Sequence, residues 1–588
     1  MSCLVVISHC LHRLPRALLG VLVLVIWMVG AGSASAAAYT WNVAGGGSWG
    51  NSANWAPVGV PGTGDTVAIG LVTGGSTITL DGNRSVVSLA LSSTNSHVIA
   101  AGTSSLTLTS TGTAISITAA GTPTFSCPMV LGASQTWASG TVSPLVSGVV
   151  SGAFTLTTSG SWKFTGNNTF TQGVAVSSGT LIAAANNALG TIAVGTTVAS
   201  GGSLGFEGGI TYSTAEAVTL NGVGAASDGA MVNVSGTNSF AGPVTLASDA
   251  TIGSRAGALT LSGTVNTGGF VLTIAGDSSL TVSGIVSGST VLSKNGAGTT
   301  TLSAANTYAG YTDVNDGTLL VTNASGSGTG TSTVAVNSGT LGGTGTISGA
   351  VEGRAGASFA PGSGGAGTLT ISKASATALS LAYNAALNYE LGTASDFIAL
   401  TGTGANLILD GTVNVTAGSG FAVGTYTLIT YTGTLTDDDG LQLGTLPPGH
   451  EATINTATPG QVRLVVTRVL TPYEEWQISH FGSTTSPDAS PTADPDGDST
   501  SNETEFRLGL DPKNGSSSFK ATGSLANAEF TLTWPSAAGL VFEIRRSASL
   551  DGPWKLLDTR SPIVSGPASF TDTAPLQPRG FYRIALLP

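Results

Sequence analysis

The chain has 588 residues, of which 41% are hydrophobic and only 9% charged, with 84 glycines and a formal net charge of −12. Ordinary globular chains carry roughly 25% charged residues, so the usual charged surface is replaced here by Thr, Ser, Asn and Gly, a composition suited to β-structure with many tight turns. The positive mean hydropathy of +0.31 and the alternation of Val, Ile and Leu with Thr exclude a disordered polar chain, and the acidic balance excludes electrostatic binding of nucleic acid or anionic membrane.

The first 36 residues read as a signal peptide. Arg13 and Arg16 precede an apolar run from Ala17 to about Gly30, which is followed by small residues ending in Ala34-Ser35-Ala36. Removing that segment takes the charge from −12 to −14, because it contains Arg13 and Arg16 and no acid. No later stretch is long and apolar enough for a membrane span, so the mature chain is expected to be exported and without one. Cys3 and Cys10 leave with the signal, and Cys127, left alone, reads as a small buried hydrophobe.

From Ala37 onward the chain repeats itself, and residues 37–468 are expected to form one β-solenoid. Asn168–Leu181 reads NTFTQGVAVSSGTL, and 138 positions later Asn306–Leu319 reads NTYAGYTDVNDGTL. LTLSGTV at Leu259–Val265 recurs as LTVSGIV at Leu280–Val286, 21 residues on. Runs of alternating apolar and polar residues, broken by Gly, Asn and Ser at about this interval, are what stacked coils require, with Phe170 and Tyr308 pointing inward and Thr and Ser outward. At roughly 21 residues per coil the segment would hold ~20 coils and make a rod of ~95 Å. A string of small β-sandwiches is the competing reading, but it calls for recurring blocks of roughly 90–100 residues, which are not evident. Trp41, Trp49 and Trp55 fall at the open amino end, where capping the first strand edge is the expected role and a sugar-stacking platform the alternative.

The segment Leu292–Val321, LSKNGAGTTTLSAANTYAGYTDVNDGTLLV, resembles the autotransporter-associated β-strand repeat, also called the passenger-associated transport repeat. Leu156–Ile182 is a weaker copy that keeps Gly160, Asn168, Thr169, Phe170, Gly179, Thr180 and Leu181 and has Trp162 and Lys163 where a Thr-rich strand is usual. The resemblance implies a right-handed parallel β-helix exposed outside the cell. Proteins of this kind normally end in an outer-membrane barrel of amphipathic strands, and none is readable before Pro588, so self-translocation is not expected.

Composition changes near residue 469. Only six Lys and Arg lie between Ala37 and Gly460, against nine between Thr471 and Pro588. Thr471-Pro472-Tyr473-Glu474 is a capping-box start, which predicts a short helix over PYEEWQISHF. Residues 469–515 then form a linker containing DPDGDSTSNETE, Asp494–Glu505. Asp494, Asp496 and Asp498 occupy positions 1, 3 and 5 of a twelve-residue loop, Thr500 offers its carbonyl at 7, Asn502 sits at 9 and Glu505 at 12. A hard cation needs six to eight oxygens, and this spacing wraps a chain around Ca²⁺ in a structural role. The loop resembles those of dockerins and thrombospondin type 3 repeats, with Ser499 where Gly usually makes the sharp turn and with no second copy, so cohesin docking is not expected. Residues 516–588 show five alternating stretches, at Glu529–Trp534, Val541–Arg545, Trp554–Leu557, Ser569–Asp572 and Gly580–Leu586. They predict a small β-sandwich resembling immunoglobulin-like or fibronectin type III modules.

No catalytic set stands out. His97, His450 and His480 lack metal-type spacing, Asp313, Asp316 and Asp437-Asp438-Asp439 read as turns or solvated faces, and GSGGAG lacks the Lys of a phosphate loop. The expected protein is all-β: a parallel β-helix, a short helix, a calcium loop and a small sandwich. Its expected role is that of an exported, non-enzymatic surface or adhesin-like protein whose partners would be a polysaccharide, a cell-surface protein or a secretion-system component. The alternatives are a β-helical polysaccharide lyase or hydrolase whose acids converge from distant coils, and a terminal module that sorts or anchors the chain.

Overall fold

The computed structural model describes residues 36–70, 74–437 and 440–588. The signal-peptide reading, with Arg13, Arg16, Cys3 and Cys10, and the residues Asp438 and Asp439 lie outside them.

Repetition in the sequence is repetition in space. Leu259, Thr260 and Leu261 pair in parallel with Leu280, Thr281 and Val282, and Val265 pairs with Val286, so the two most similar seven-residue stretches are stacked directly on each other. Because side chains alternate across a strand, every leucine of such a stretch faces inward onto its equivalent while Thr260 and Thr281 face out. The shared Ser-Gly has a steric cause. A Cβ on Gly284 would overlap the carbonyl of Gly263, and one on Gly263 the carbonyl of Gly242, so the turn stacks only while each coil keeps its glycine.

These pairings propagate through an all-β solenoid of about 16 turns. One face is an eleven-stranded sheet from Thr211–Tyr212 through Ala258–Leu261, Ser279–Val282 and Thr299–Leu302 to Gln442–Leu443. The expected ~20 coils is too many, because the rungs are unequal. Asn168 reaches back 18 residues to Val150, whereas Thr434 reaches back 28 to Asn406, the longer rungs spending residues on loops. Sixteen turns at ~4.8 Å correspond to a rod of roughly 75 Å.

Both ends of the stack carry antiparallel strands, which cover part of the edge that would otherwise recruit further strands. At the amino end Ala38–Trp41 pairs antiparallel with Trp55–Ala56 and parallel with Thr66–Ile69. Trp55 lies edge-on to Trp41 and Trp49 with ring centroids 4.9 and 4.8 Å apart, and its Nε1 donates to the Trp49 carbonyl at 2.8 Å. All three rings are buried, which makes them a cap and removes the sugar-platform alternative. At the other end Gln461–Val469 pairs antiparallel with both Gly424–Thr430 and His450–Asn455.

Helix α1, Pro472–Phe481, begins with the expected capping box: Thr471 accepts from the Glu474 amide, and Glu474 accepts from the Thr471 amide at 2.8 Å. A second helix, α2, Asn502–Leu508, takes up the end of the acidic loop, where the sequence reading places no helix. The last part of the chain makes two three-stranded antiparallel sheets, ordered Thr522–Ala526, Glu529–Ser536, Gly566–Asp572 and Lys555–Arg560, Phe542–Ser547, Phe581–Leu586. Their facing sides bury Leu532, Trp534, Phe542 and Ile544 together with Leu508 from α2. Six strands stand where five were expected, the extra one being the exposed edge strand Thr522–Ala526.

Candidate metal site

The acidic loop is the place where oxygen ligands converge. One carboxylate oxygen from each of Asp494, Asp496 and Asp498 lies within 4.8 Å of the others, the gathering of three or more His, Cys, Asp or Glu found among the described residues. The loop is shaped by its own amides. Asp494 accepts from the amides of Asp498 at 3.1 Å and Ser499 at 2.8 Å, and Asp498 accepts from the Thr500 amide at 2.7 Å. Ser499 stands at φ 73°, in the left-handed region. The position that usually needs glycine is therefore occupied by a serine holding the glycine conformation, at a cost of order 1 kcal/mol.

The loop and the start of α2 also hold buried oxygens without protein partners, although Glu505 is not one of the three carboxylates that converge within 4.8 Å. Glu505, on α2, is fully buried and neither of its carboxylate oxygens has a hydrogen-bond partner. Burial, and after it the charges of Asp496, Asp498, Asp494 and Asp511, push its carboxyl up to about 7. Asn502 is also fully buried, and its amide hydrogens go to the carbonyls of Asp488 and Ser490 at 2.7 and 2.8 Å, leaving Oδ1 unpartnered. Asp496 Oδ2 and Asp498 Oδ2 are in the same condition. A buried carboxylate surrounded by other carboxylates is destabilised unless something positive joins it. A hard divalent cation would supply that charge, and the donor set is all oxygen, as Ca²⁺ prefers. Thr500 has spent its hydroxyl on the Phe519 amide at 3.0 Å, which leaves its carbonyl as the ligand it could offer.

Other residues weighed for chemistry have structural surroundings. His97 is buried, its Nδ1 2.7 Å from the Ser76 hydroxyl, and burial lowers its pKa. His450 packs on Phe421, and His480 lies against Trp476. Asp313 sits on strand Thr312–Val314 between Ser293 and Ala335, and Asp316 accepts from the Gly317 amide in a turn. Burial pushes the Cys127 thiol up to about 12, far from a reactive thiolate.

Four polar groups buried in the solenoid carry roles that the sequence reading does not assign. Asn168 Oδ1 accepts from the Val150 amide of one coil at 2.8 Å, and its Nδ2 donates to the Ala188 carbonyl of the next at 2.6 Å. Asn306 does the same between Val286 and Gly328, at 2.8 and 2.6 Å. The asparagine of the repeated Asn-Thr-aromatic is thus a clamp across three coils, and the aromatic two residues on, Phe170 or Tyr308, is buried in the core. Lys294, almost wholly buried, donates from Nζ to the carbonyls of Gly296 and Asp316 at 2.6 and 3.0 Å. Glu216 is fully buried with one oxygen on the Thr196 hydroxyl at 2.8 Å.

Among the described residues no helix is long and apolar enough to cross a membrane. Residues 152–183 and 292–321 match the passenger-associated-transport-repeat family. Over 116 residues, 18% of the chain, the sequence is 47% identical to "Adhesin BmaC autotransporter" of Brucella suis biovar 1 (strain 1330). The matched stretch is 3% of that much longer protein. The chain thus carries passenger-associated transport repeats, stacked as coils of a β-solenoid, and is similar over part of its length to an autotransporter adhesin.

Proposed function

We propose that this is an exported, non-enzymatic, adhesin-like surface protein in which the solenoid serves as rigid stalk and binding face and Ca²⁺ braces the C-terminal module. The observation that carries the reading is the pair of passenger-associated transport repeats, each built into the solenoid by the same asparagine clamp. Identity to an adhesin over part of the chain supports it. The outer surface suits such a role: Thr136, Thr157, Ala175, Thr197, Thr219 and Thr245 follow one another up a face from coil to coil. A flat row of small, mostly hydroxyl-bearing side chains at the ~4.8 Å strand spacing offers repeated hydrogen bonding to an extended polar partner, such as a polysaccharide or a cell-surface protein.

For the metal, the support is three converging aspartates together with the buried, unpartnered carboxylate of Glu505, which feels their charge. Asp494, Asp496, Asp498, the Thr500 carbonyl, Asn502 and Glu505 would be its ligands. α2 transmits the effect, because Leu508 enters the sandwich core and Arg507 Nη2 donates to the Leu587 carbonyl at 2.6 Å.

The test is to incubate residues 37–588 with soluble and insoluble polysaccharides and with whole cells, scoring retention and newly released sugar ends together. Retention without release is the expected result. Release of sugar ends would overturn the non-enzymatic reading in favour of a carbohydrate-active enzyme, and absence of retention on every surface would overturn the adhesive one.

A further inference from the structure

The amino end of the solenoid holds an acid that has backbone donors and no cation. Asp65 Oδ2 accepts from the Gly62 amide at 2.9 Å, and its Oδ1 accepts from the Ala37 backbone nitrogen at 2.8 Å. Among the described residues no Lys, Arg or His forms an ion pair with it. The carboxylate is held firmly: its own amide donates to the Gly62 carbonyl at 3.1 Å, and its carbonyl accepts from the Val87 amide of the next coil at 2.7 Å. Ala37 is fixed as well, since its carbonyl accepts from the Thr66 amide at 2.9 Å and Ala38 begins the parallel pairing with Thr66. Ala36, one residue before, is exposed.

Ala37 is also the residue that follows the small-residue sequence Ala34-Ser35-Ala36, where a leader peptidase would cut. We propose that Asp65 is the receptor for a newly made amino terminus, so that removal of the leader completes the cap of the solenoid. The inference rests on the export reading. In the cleavage, water adds to the Ala36 carbonyl carbon, the Ala36–Ala37 C–N bond breaks, Ala36 leaves as a carboxylate and the Ala37 nitrogen takes up the protons to become an ammonium. A neutral amide donor 2.8 Å from the Asp65 carboxylate is thereby replaced by a cation at the same place. The ion pair ties down the strand Ala38–Trp41, which has Trp41 on its inner side and would otherwise be a fraying terminus. Asp65 needs no rearrangement to receive it, because the turn from Gly62 holds the carboxylate in position before the cut.

The experiment begins with the full-length chain, leader included, expressed in a bacterial host and recovered outside the cytoplasm, its mass and first residues determined. The expected first residue is Ala37. Hydrogen exchange of the strand Ala38–Trp41 is then compared in the mature protein and after selective acetylation of its α-amine at about pH 6.5, where lysines stay protonated. Acetylation removes the charge without touching Asp65. It should speed exchange of that strand roughly two- to fivefold, the range of an exposed ion pair, and have no such effect in Asp65→Asn. Raising the pH of the untreated protein should lower the protection factor of that strand, the exchange rate corrected for its base-catalysed intrinsic value, and leave that of the acetylated protein unchanged: pairing raises the amine above its ordinary ~8, so the stabilisation is present below that value and is lost above the raised one. Should Asp65→Asn fail to fold, the acetylation and pH comparisons on the unaltered chain still decide. Export with a leader that stays attached, or no export at all, would overturn the export reading together with this inference. A mature chain beginning elsewhere, or exchange indifferent to acetylation, would overturn this inference and leave export standing.

Discussion

Removing Ca²⁺ should loosen the C-terminal module and leave the solenoid untouched. Three links join the loop to the sandwich: Leu508 of α2 in the core with Trp534 and Phe542, the Thr500 hydroxyl on the Phe519 amide, and Arg507 on the Leu587 carbonyl. A metal that binds only the folded loop stabilises everything that unfolds with it. With a Kd of about 1 µM and ~1 mM free Ca²⁺ the gain is about 4.1 kcal/mol, or a thousandfold in the opening equilibrium. Hydrogen exchange with and without chelator measures this directly. Amides of α2 and of Glu529–Ser536 should exchange about a thousandfold faster in chelator, while Ala258–Leu261 and its neighbours in the solenoid keep their protection. Glu505→Gln, which removes a charge at a fully buried position, should bind Ca²⁺ much more weakly and exchange equally in both conditions. Equal protection of the wild-type module in Ca²⁺ and chelator would refute the coupling, and full calcium dependence in Glu505→Gln would refute the ligand assignment.

Asn306→Ala should cost roughly 2–5 kcal/mol, because it leaves the buried Val286 amide and Gly328 carbonyl without partners. A lowered urea midpoint is the measurement, and Asn168→Ala should match it, since its clamp is the same. Glu216, whose carboxyl burial pushes up to about 7, gives the solenoid a pH dependence. Its folded pKa lies above the ordinary 4.5, so its contribution is full below 4.5 and is lost as pH rises through 7, by about 3 kcal/mol. Glu216→Gln should therefore be more stable than wild type at pH 8 and show a flatter difference in unfolding between pH 5 and 8. Cys127, buried and with its thiol at about 12, should resist alkylation by iodoacetamide until the solenoid is unfolded.

How far the fold could be read depended on whether a residue's partner was its own equivalent. Stacked coils place like on like, so the 21-residue echo of LTLSGTV in LTVSGIV is itself a statement of contact, and the pairing of Leu259 with Leu280 follows from it. The count of coils was less legible, because loops lengthen some rungs without altering the strands between them. In the C-terminal module the strand Thr522–Ala526 went unread for a related reason: it is an edge strand exposed along its whole length, so nothing selects an alternating pattern in it. Helix α2 was hidden by the loop preceding it, whose Asp, Ser and Thr residues read as a turn up to the point where Glu505 must be drawn inward.

The candidate metal site was visible for the opposite reason, that its ligands are local. A loop that wraps one cation must place oxygens at alternate residues of a single short segment, and that spacing is present between Asp494 and Asp498 whatever surrounds it. Spacing could not reveal that Glu505 is fully buried, because burial depends on Leu508 docking into a sandwich whose strands lie beyond it in the chain. The polar groups inside the solenoid carry no local signature either. Asn168 and Asn306 are ordinary turn residues by type, and their function lies in amides and carbonyls of neighbouring coils, at separations of 18 to 22 residues. Lys294 and Asp65 follow the same rule, one satisfied by carbonyls including that of Asp316, the other by the amide of Ala37. In a chain with so few charges, Lys294 and Asp65 are each held by backbone groups from another coil, whereas the buried Glu216 is held by the Thr196 hydroxyl. At Lys294 and Asp65 a charge pins one turn of the solenoid to another.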